Sequence, residues 1–258
     1  MCLIVFAWQP RQPVPLVVAA NRDEFHERPS QPLAPWTEMP ELIAGRDLQA
    51  GGTWMGMTLD GRFAALTNIR CPGQIAGPRS RGELPERYLR GQFSPEVYLS
   101  QLQAQRSDYA GFNLLVGDTQ SLWHLNSQEG MPRRLEPGIY GLSNASLDTP
   151  WPKLVRAKSA LASSLEQEHF DAEALLQLLT DTWKPATDRL PNTGVTPELE
   201  ALLSSIFITS QNYGTRASTA LIRRSDGSLE ILERSFGPDG RLGEVHFIHP
   251  ESRREPNP

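Results

Sequence analysis

The sequence predicts an α+β fold in which antiparallel sheets carry helices on their outer faces. Strand-like stretches come first, helix-like stretches next and strand-like stretches last. That order lacks the βαβα alternation of a doubly wound parallel sheet. Turn signals such as Asp60-Gly61 and Gly117-Asp118 join neighbouring apolar runs, as antiparallel hairpins require. At 39% hydrophobic over 258 residues, the chain can bury a substantial core. It shows no internal repeat and no composition break, so one domain is expected over 1–250, followed by a disordered tail at 251–258.

The elements follow from local pattern. Residues 3–8 and 15–21 are apolar and β-branched, joined through a Pro-rich turn, and read as a hairpin. Asn21-Arg22-Asp23-Glu24 ends the second strand. Residues 27–40 contain Pro29, Pro32, Pro35 and Pro40 and read as an irregular loop. Strands are expected at 53–59 and 62–68 around Asp60-Gly61, then a loop at 70–82 carrying Arg70, Arg79 and Arg81. Helices are expected at 83–91 and 95–106, the second capped by Ser94. Residues 112–116 and 121–125 form a hairpin, and 139–142 a short strand. Pro150 opens a helix to Leu165; further helices are expected at 171–180 and 197–204. The last strands are expected at 205–209, 216–223, 228–234 and 243–249.

Composition excludes several function classes. The net charge of −5 attracts neither nucleic acid nor an anionic membrane. The N-terminal apolar run stops at Trp8 with no basic residue before it, so it is neither a signal peptide nor a membrane span. Two cysteines are too few for a disulfide framework and fit a reducing, cytoplasmic setting. His, Cys and Asp show no zinc-like clustering, and no phosphate-binding loop or dinucleotide fingerprint is present.

The chemistry concentrates at Cys2. If Met1 is removed, one residue carries both a thiol and an α-amine whose reference pKa is about 7.7–8.0, against about 8.5 for the thiol. The amine can then take the thiol proton near neutral pH. The competing reading is a small apolar cysteine packed in a buried strand. Other polar residues sit where apolar strands end or begin: Asn21, Arg22 and Asp23, then Thr67 and Asn68, then Ser143 and Asn144, then Tyr213, Thr215 and Arg216. Each has an ordinary alternative as a turn residue or a surface ion pair. Cys71 lies in a Pro/Gly loop with no motif of its own.

Met-Cys at the start, Ala19-Ala20-Asn21-Arg22-Asp23-Glu24-Phe25 and Gly51-Gly52-Thr53-Trp54-Met55-Gly56 resemble the NRDE family, also called the TANGO2 (transport and Golgi organisation 2) family. So do Leu66-Thr67-Asn68-Ile69-Arg70, Ser80-Arg81-Gly82, Tyr140-Gly141-Leu142-Ser143-Asn144, Thr149-Pro150-Trp151-Pro152-Lys153-Leu154 and Tyr213-Gly214-Thr215-Arg216. The resemblance spans residues 1 to about 235. It implies a four-layer αββα sandwich similar to the N-terminal-nucleophile (Ntn) hydrolases.

The resemblance also implies roles. Cys2 matches the nucleophile, and Asp23 the carboxylate near its amine. Asn68 and Asn144 match two strand-end asparagines of cysteine amide hydrolases, where an Asn N–H donates to the oxyanion. Arg216 could then assist as a cation near the thiolate. The arginine of those hydrolases is displaced here: Ala20 stands in its place, and Arg22 follows on the same strand face. Family association implies haem, or a similar small amphipathic carboxylate or acyl compound, as ligand. Cys2 and His26 are then the candidate iron ligands, with Asn21, Arg22, Arg70 and Arg81 contacting the ligand. His124, His169, His246 and His249 show no ligand spacing. Two functions follow, a ligand-binding and trafficking protein or a Cys2 amidohydrolase acting on an acyl amide or thioester.

Overall fold

The computed structural model describes residues 2–73, 77–167 and 170–250. The tail at 251–258 and His169 lie outside these residues. The chain opens with β1 (Cys2–Trp8), β2 (Leu16–Phe25), β3 (Ser30–Trp36), β4 (Met39–Asp47), β5 (Met55–Thr58) and β6 (Phe63–Asn68). Helices α1 (Glu83–Arg90) and α2 (Pro95–Gln103) follow, then β7 (Phe112–Gly117), β8 (Leu122–Asn126), β9 (Arg133–Arg134) and β10 (Gly138–Leu142). Next come α3 (Pro152–Leu165), α4 (Ala172–Leu178) and α5 (Pro197–Leu202), and finally β11 (Tyr213–Arg223), β12 (Leu229–Gly237) and β13 (Gly240–His249).

Two antiparallel sheets result, one ordered β10-β1-β2-β11-β12-β13 and the other β3-β4-β5-β6-β7-β8-β9. Alternation along each strand divides its side chains between two faces. On β1, Ile4, Phe6 and Trp8 face the second sheet and pack with Ile43, Met57 and Phe63. Leu3, Val5 and Ala7 face outward and pack with Leu154, Leu161 and Leu175 of α3 and α4. The second sheet buries Ala64, Leu66 and Leu114 against Leu84, Tyr88 and Leu99 of α1 and α2. Three apolar layers between four layers of secondary structure make the αββα sandwich. No helix among the described residues is long and apolar enough to cross a membrane.

Three local expectations are corrected. The proline-rich stretch at 27–40 is not a loop: it contains β3 and the start of β4. β3 lies at a sheet edge and breaks register twice, and an edge strand tolerates prolines that cannot donate to a neighbour. The motif Asn21–Glu24 does not end β2 but lies within it. Residues 205–209 are not a strand. Ile206 and Ile208 are buried there, and Thr215 N–H and the Ile208 carbonyl pair at 2.9 Å.

A buried histidine of the core carries a linkage to stability. His124 on β8 is buried, with Nε2 3.1 Å from Asn113 Oδ1. Asn113 Nδ2 donates to the Ala145 carbonyl, so its Oδ1 accepts and His124 Nε2 carries the proton. Burial, then Arg133, pushes the imidazole pKa down to about 4. An unfolded histidine titrates near 6.5, so the unfolded state takes up a proton first as pH falls. This contribution is complete above pH 6.5 and is lost between pH 6.5 and 4, about 3 kcal/mol in all. Urea unfolding of His124→Gln is expected to show a shallower loss of stability over that window than the natural protein. Equal slopes would rule the linkage out.

Candidate active-site cleft around Cys2

A cleft of about 580 Å³ opens at the end of the sandwich where β1 begins and β6 finishes. Cys2, Arg22, Asp23, Asn68 and Arg81 line it, together with Trp54, Cys71 and Arg79. The backbone explains the first pair. Cys2 stands opposite Arg22 in the β1–β2 ladder, and both share the inward face with Ile4 and Ala20. The displaced arginine therefore still lines the cleft, one pleat further along β2. Its guanidinium lies 4.2 Å from the centroid of the Trp54 ring, a cation–π contact. A Cβ on Gly45 would collide with that indole, so glycine is required for Trp54 to lie where it does. Gly52, with φ of 65°, lets the loop before β5 approach the Gly82 carbonyl, which accepts from Thr53 N–H at 3.0 Å, and so holds the Arg81 loop against the cleft.

Cys2 is a half-buried free thiol. Burial pushes its pKa up, and the Asp23 carboxylate adds to this, whereas Arg22 and the Asp23 backbone N–H favour the thiolate. Asp23 is 1% exposed. Its Oδ1 accepts from Thr215 Oγ1 at 2.8 Å, and its carbonyl from the Tyr213 hydroxyl at 3.1 Å. Burial raises its pKa, and Lys153 leads the groups that oppose the rise.

The two asparagines differ. Asn68 lines the cleft, and among the described residues its side chain makes no hydrogen bond, leaving its carboxamide for a ligand. Asn144 is buried behind the strand ends: Nδ2 donates to the Asn68 carbonyl at 2.8 Å and Oδ1 accepts from Ser143 Oγ at 3.2 Å. Ser143 Oγ also donates to the Cys2 carbonyl at 3.3 Å, and Thr67 Oγ1 to the Ser143 carbonyl at 2.5 Å. These bonds clamp β1, β6 and β10 around the cleft and hold Asn68 in place.

Four other expected site residues lie elsewhere. Arg216 is not beside the thiol. The ladder pairs Thr215 with Asp23 and Ala217 with Arg22, so Arg216 is the extra residue of a β-bulge. Its guanidinium donates to the carbonyls of Phe25 at 2.7 Å, Arg28 at 3.1 Å and Phe236 at 3.2 Å. It lines a separate cavity of about 250 Å³ behind the Arg22–Trp54 pair. His26 also lies away from the cleft, its Nε2 3.2 Å from the Ser210 carbonyl. Asn21 faces the helices: Nδ2 donates to the carbonyls of Leu179 at 3.0 Å and Ile206 at 2.9 Å. Arg70 forms a buried ion pair with Glu200 at 2.7 Å and stacks over Trp151.

The charge pattern inside the cleft is uneven. Arg28 bonds Asp47 at 2.7 Å, and Arg79 bonds Glu83. Arg22 and Arg81 have no carboxylate within ion-pair distance among the described residues. Arg81 donates to the Gly111 carbonyl at 3.1 Å, and Arg22 reaches Ser30 Oγ at 3.4 Å. Burial lowers the pKa of Arg81, and Cys2 is the first group to act against this. Sequence reasoning missed Trp54 as a site residue, although it stands inside a motif it singled out. It also set Cys71 apart, whereas Cys71 shares the cleft with Cys2. Among the described residues no cluster of His, Cys, Asp and Glu could hold a metal ion.

A family model described as "Transport and Golgi organisation 2" matches residues 1–238. The mouse protein named "Transport and Golgi organization 2 homolog" is 34% identical over 258 residues, covering 92% of this chain and 93% of its own. The human homologue matches to the same extent. The Drosophila melanogaster protein is 25% identical over 282 residues, covering 96% and 97%. Among solved structures, a cysteine-to-alanine mutant of conjugated bile acid hydrolase from Clostridium perfringens superposes with a TM-score of 0.53 at 7% identity, over 98% of each chain. An arginine-to-leucine variant of that enzyme gives 0.51 at 8% identity, over 96% of this chain and 98% of its own. The likeness to these structures is one of fold, the Ntn-hydrolase-like αββα sandwich.

Proposed function

We propose a ligand-handling role for this chain, which belongs to the Transport and Golgi organisation 2 family: it binds and passes on a small amphipathic carboxylate, haem or an acyl compound, in the Cys2 cleft. One observation carries this reading. Arg22 and Arg81 line the cleft beside Cys2 with no carboxylate partner among the described residues, so an incoming anion supplies the charge that the fold withholds. Guanidinium groups bind carboxylates through paired, charge-assisted hydrogen bonds. Trp54, Leu66 and Ile69 offer the apolar wall an amphipathic ligand needs. For haem, the two arginines suit the propionates. Among the described residues, the iron would find the thiols of Cys2 and Cys71, and no histidine lines the cleft. Haem titration is expected to give a saturable Soret change that weakens in Cys2→Ala and persists in His26→Ala, with myristate competing. No saturable binding of either compound would reject the role.

A second reading, a Cys2 amidohydrolase or thioesterase, is favoured by the free carboxamide of Asn68 in the same cleft. The Cys2 sulfur would attack an acyl carbonyl, Asn68 Nδ2 would donate to the oxyanion, and the amine or thiol would leave with a proton. Water would then cleave the acyl-enzyme. Intact mass separates the two readings, because only a chain without Met1 has the α-amine base, and an acylated Cys2 adds the acyl mass.

A further inference from the structure

Two cavities meet at this end of the sandwich, the Cys2 cleft of about 580 Å³ and a back cavity of about 250 Å³ between the two sheets. Among the described residues, Arg22 and Trp54 alone line both. They touch each other, with the guanidinium 4.2 Å from the indole centroid. Arg22 is 6% exposed and reaches Ser30 Oγ, on the back cavity's side, at 3.4 Å. Trp54 lies where it does because residue 45 has no side chain: a Cβ on Gly45 would stand 2.3 Å from the ring. The pair is therefore a wall of two side chains with open space on both faces.

A second glycine keeps the far space open. Gly243 on β13 shares a strand face with Val245 and Phe247, which pack on the core between the sheets. It lines the back cavity, and a Cβ there would meet nothing within 4 Å among the described residues. Its φ is not positive, so a side chain at this position costs no backbone strain and would fill the space. The polar groups of the back cavity are already engaged. Arg216 donates to three carbonyls, and Glu233 accepts from Leu33 N–H at 2.7 Å and Thr219 Oγ1 at 2.9 Å. What the cavity offers a newcomer is apolar surface from Phe236, Leu242 and Val245. We propose that Trp54 is the specificity-determining residue of the cleft: an apolar tail that starts beside Cys2 runs to the indole and stops there, so the wall sets the length of ligand that fits and leaves the back cavity unused. This rests on the reading of the cleft as the site of an amphipathic ligand.

Alkyl methanethiosulfonates measure the reach from Cys2 directly. The Cys2 thiolate attacks the reagent's alkyl-bearing sulfur, a disulfide to the alkyl chain forms, the reagent's S–S bond breaks, and methanesulfinate leaves with the electron pair. In a Cys71→Ser background Cys2 is the one remaining thiol, and intact mass follows its labelling by the ethyl and decyl reagents. Trp54→Ala is expected to raise the decyl-to-ethyl rate ratio at least tenfold, since burial of about two further methylenes suffices for that. Adding Gly243→Phe to Trp54→Ala should bring the ratio back. Gly243→Phe alone should leave it unchanged, because the wall already keeps the chain out. The ethyl rate registers any change in the thiol's own reactivity, so a Trp54 that merely packs against Arg22 would move both rates together. An unchanged ratio in Trp54→Ala overturns the proposal, and so does a raised ratio that Gly243→Phe fails to lower. If Trp54→Ala fails to fold, Trp54→Leu takes its place in the same comparison. Labelling requires no bound ligand, so failure of haem or myristate to bind would reject the binding role and leave this result standing. An unchanged ratio would in turn leave that role standing.

Discussion

Replacing both Arg22 and Arg81 with methionine is expected to weaken binding of haem or myristate by about a thousandfold, while the melting temperature holds or rises. A hydrogen bond to a charged partner contributes about 1.5–3 kcal/mol, and each 1.4 kcal/mol is tenfold in affinity. Each single replacement should therefore cost about ten- to a hundredfold, and the pair roughly the product. The stability half of the expectation has a separate cause. Neither guanidinium has a carboxylate within ion-pair distance among the described residues, so the folded chain carries two incompletely compensated cations. Methionine removes their desolvation cost and, at position 22, still packs against Trp54. A site whose affinity and stability move in opposite directions is one the fold maintains for something outside itself. Arg87→Met on α1, whose guanidinium is half-exposed beside Glu83, is the control and should change neither quantity. Natural affinity in the double variant would sink the anion-binding role. An unfolded double variant would show that these arginines are structural.

Much of the fold could be read from the sequence because its signals are local. The Asp60-Gly61 turn and the Ser94 cap, which accepts from Val97 N–H, are local features that the structure contains, whereas α3 starts at Pro152, two residues after the expected Pro150. β3 escaped because its prolines are tolerated only at a sheet edge, and edge position is a property of the assembled sheet. The segment at 205–209 misled because the spacing of Ile206 and Ile208 mimics a strand, although its backbone groups bond Asn21, Asp181 and Thr215. At the site, Cys2, Arg22, Asp23, Asn68 and Arg81 converge on one cleft. Strand-face parity put Arg22 on the side of the cleft, whereas Arg216 sits on a bulge of β11 and its guanidinium bonds backbone carbonyls away from the thiol.

Asn21→Leu is expected to destabilise the protein by about 4 kcal/mol without touching the cleft, the largest stability effect in the four-residue motif. Along β2, alternation sends Arg22 inward and Asn21 outward to the helix layer. The Asn21 carboxamide is 1% exposed and fully engaged. It donates to the carbonyl of Leu179, at the end of α4, and to that of Ile206, in the segment after α5, while Oδ1 accepts from Ser218 Oγ on β11 at 2.6 Å. One side chain thus fastens a helix end, an irregular segment and a neighbouring strand to β2. Leucine matches its size but strands two carbonyls and a hydroxyl in a dry layer, each at about 1–3 kcal/mol. At about 2–4 °C per kcal/mol for a domain near this size, the melting temperature should fall by roughly 8–16 °C. Asn21→Asp should be no better, since a carboxylate sets oxygen against both carbonyls and donates to neither. Ligand affinity of the folded fraction should stay at the natural value in both variants. A melting temperature within about 2 °C of the natural protein would show that water or backbone movement satisfies those carbonyls. Loss of ligand affinity in a well-folded Asn21→Leu would return Asn21 to the ligand-contacting group in which the family resemblance first set it.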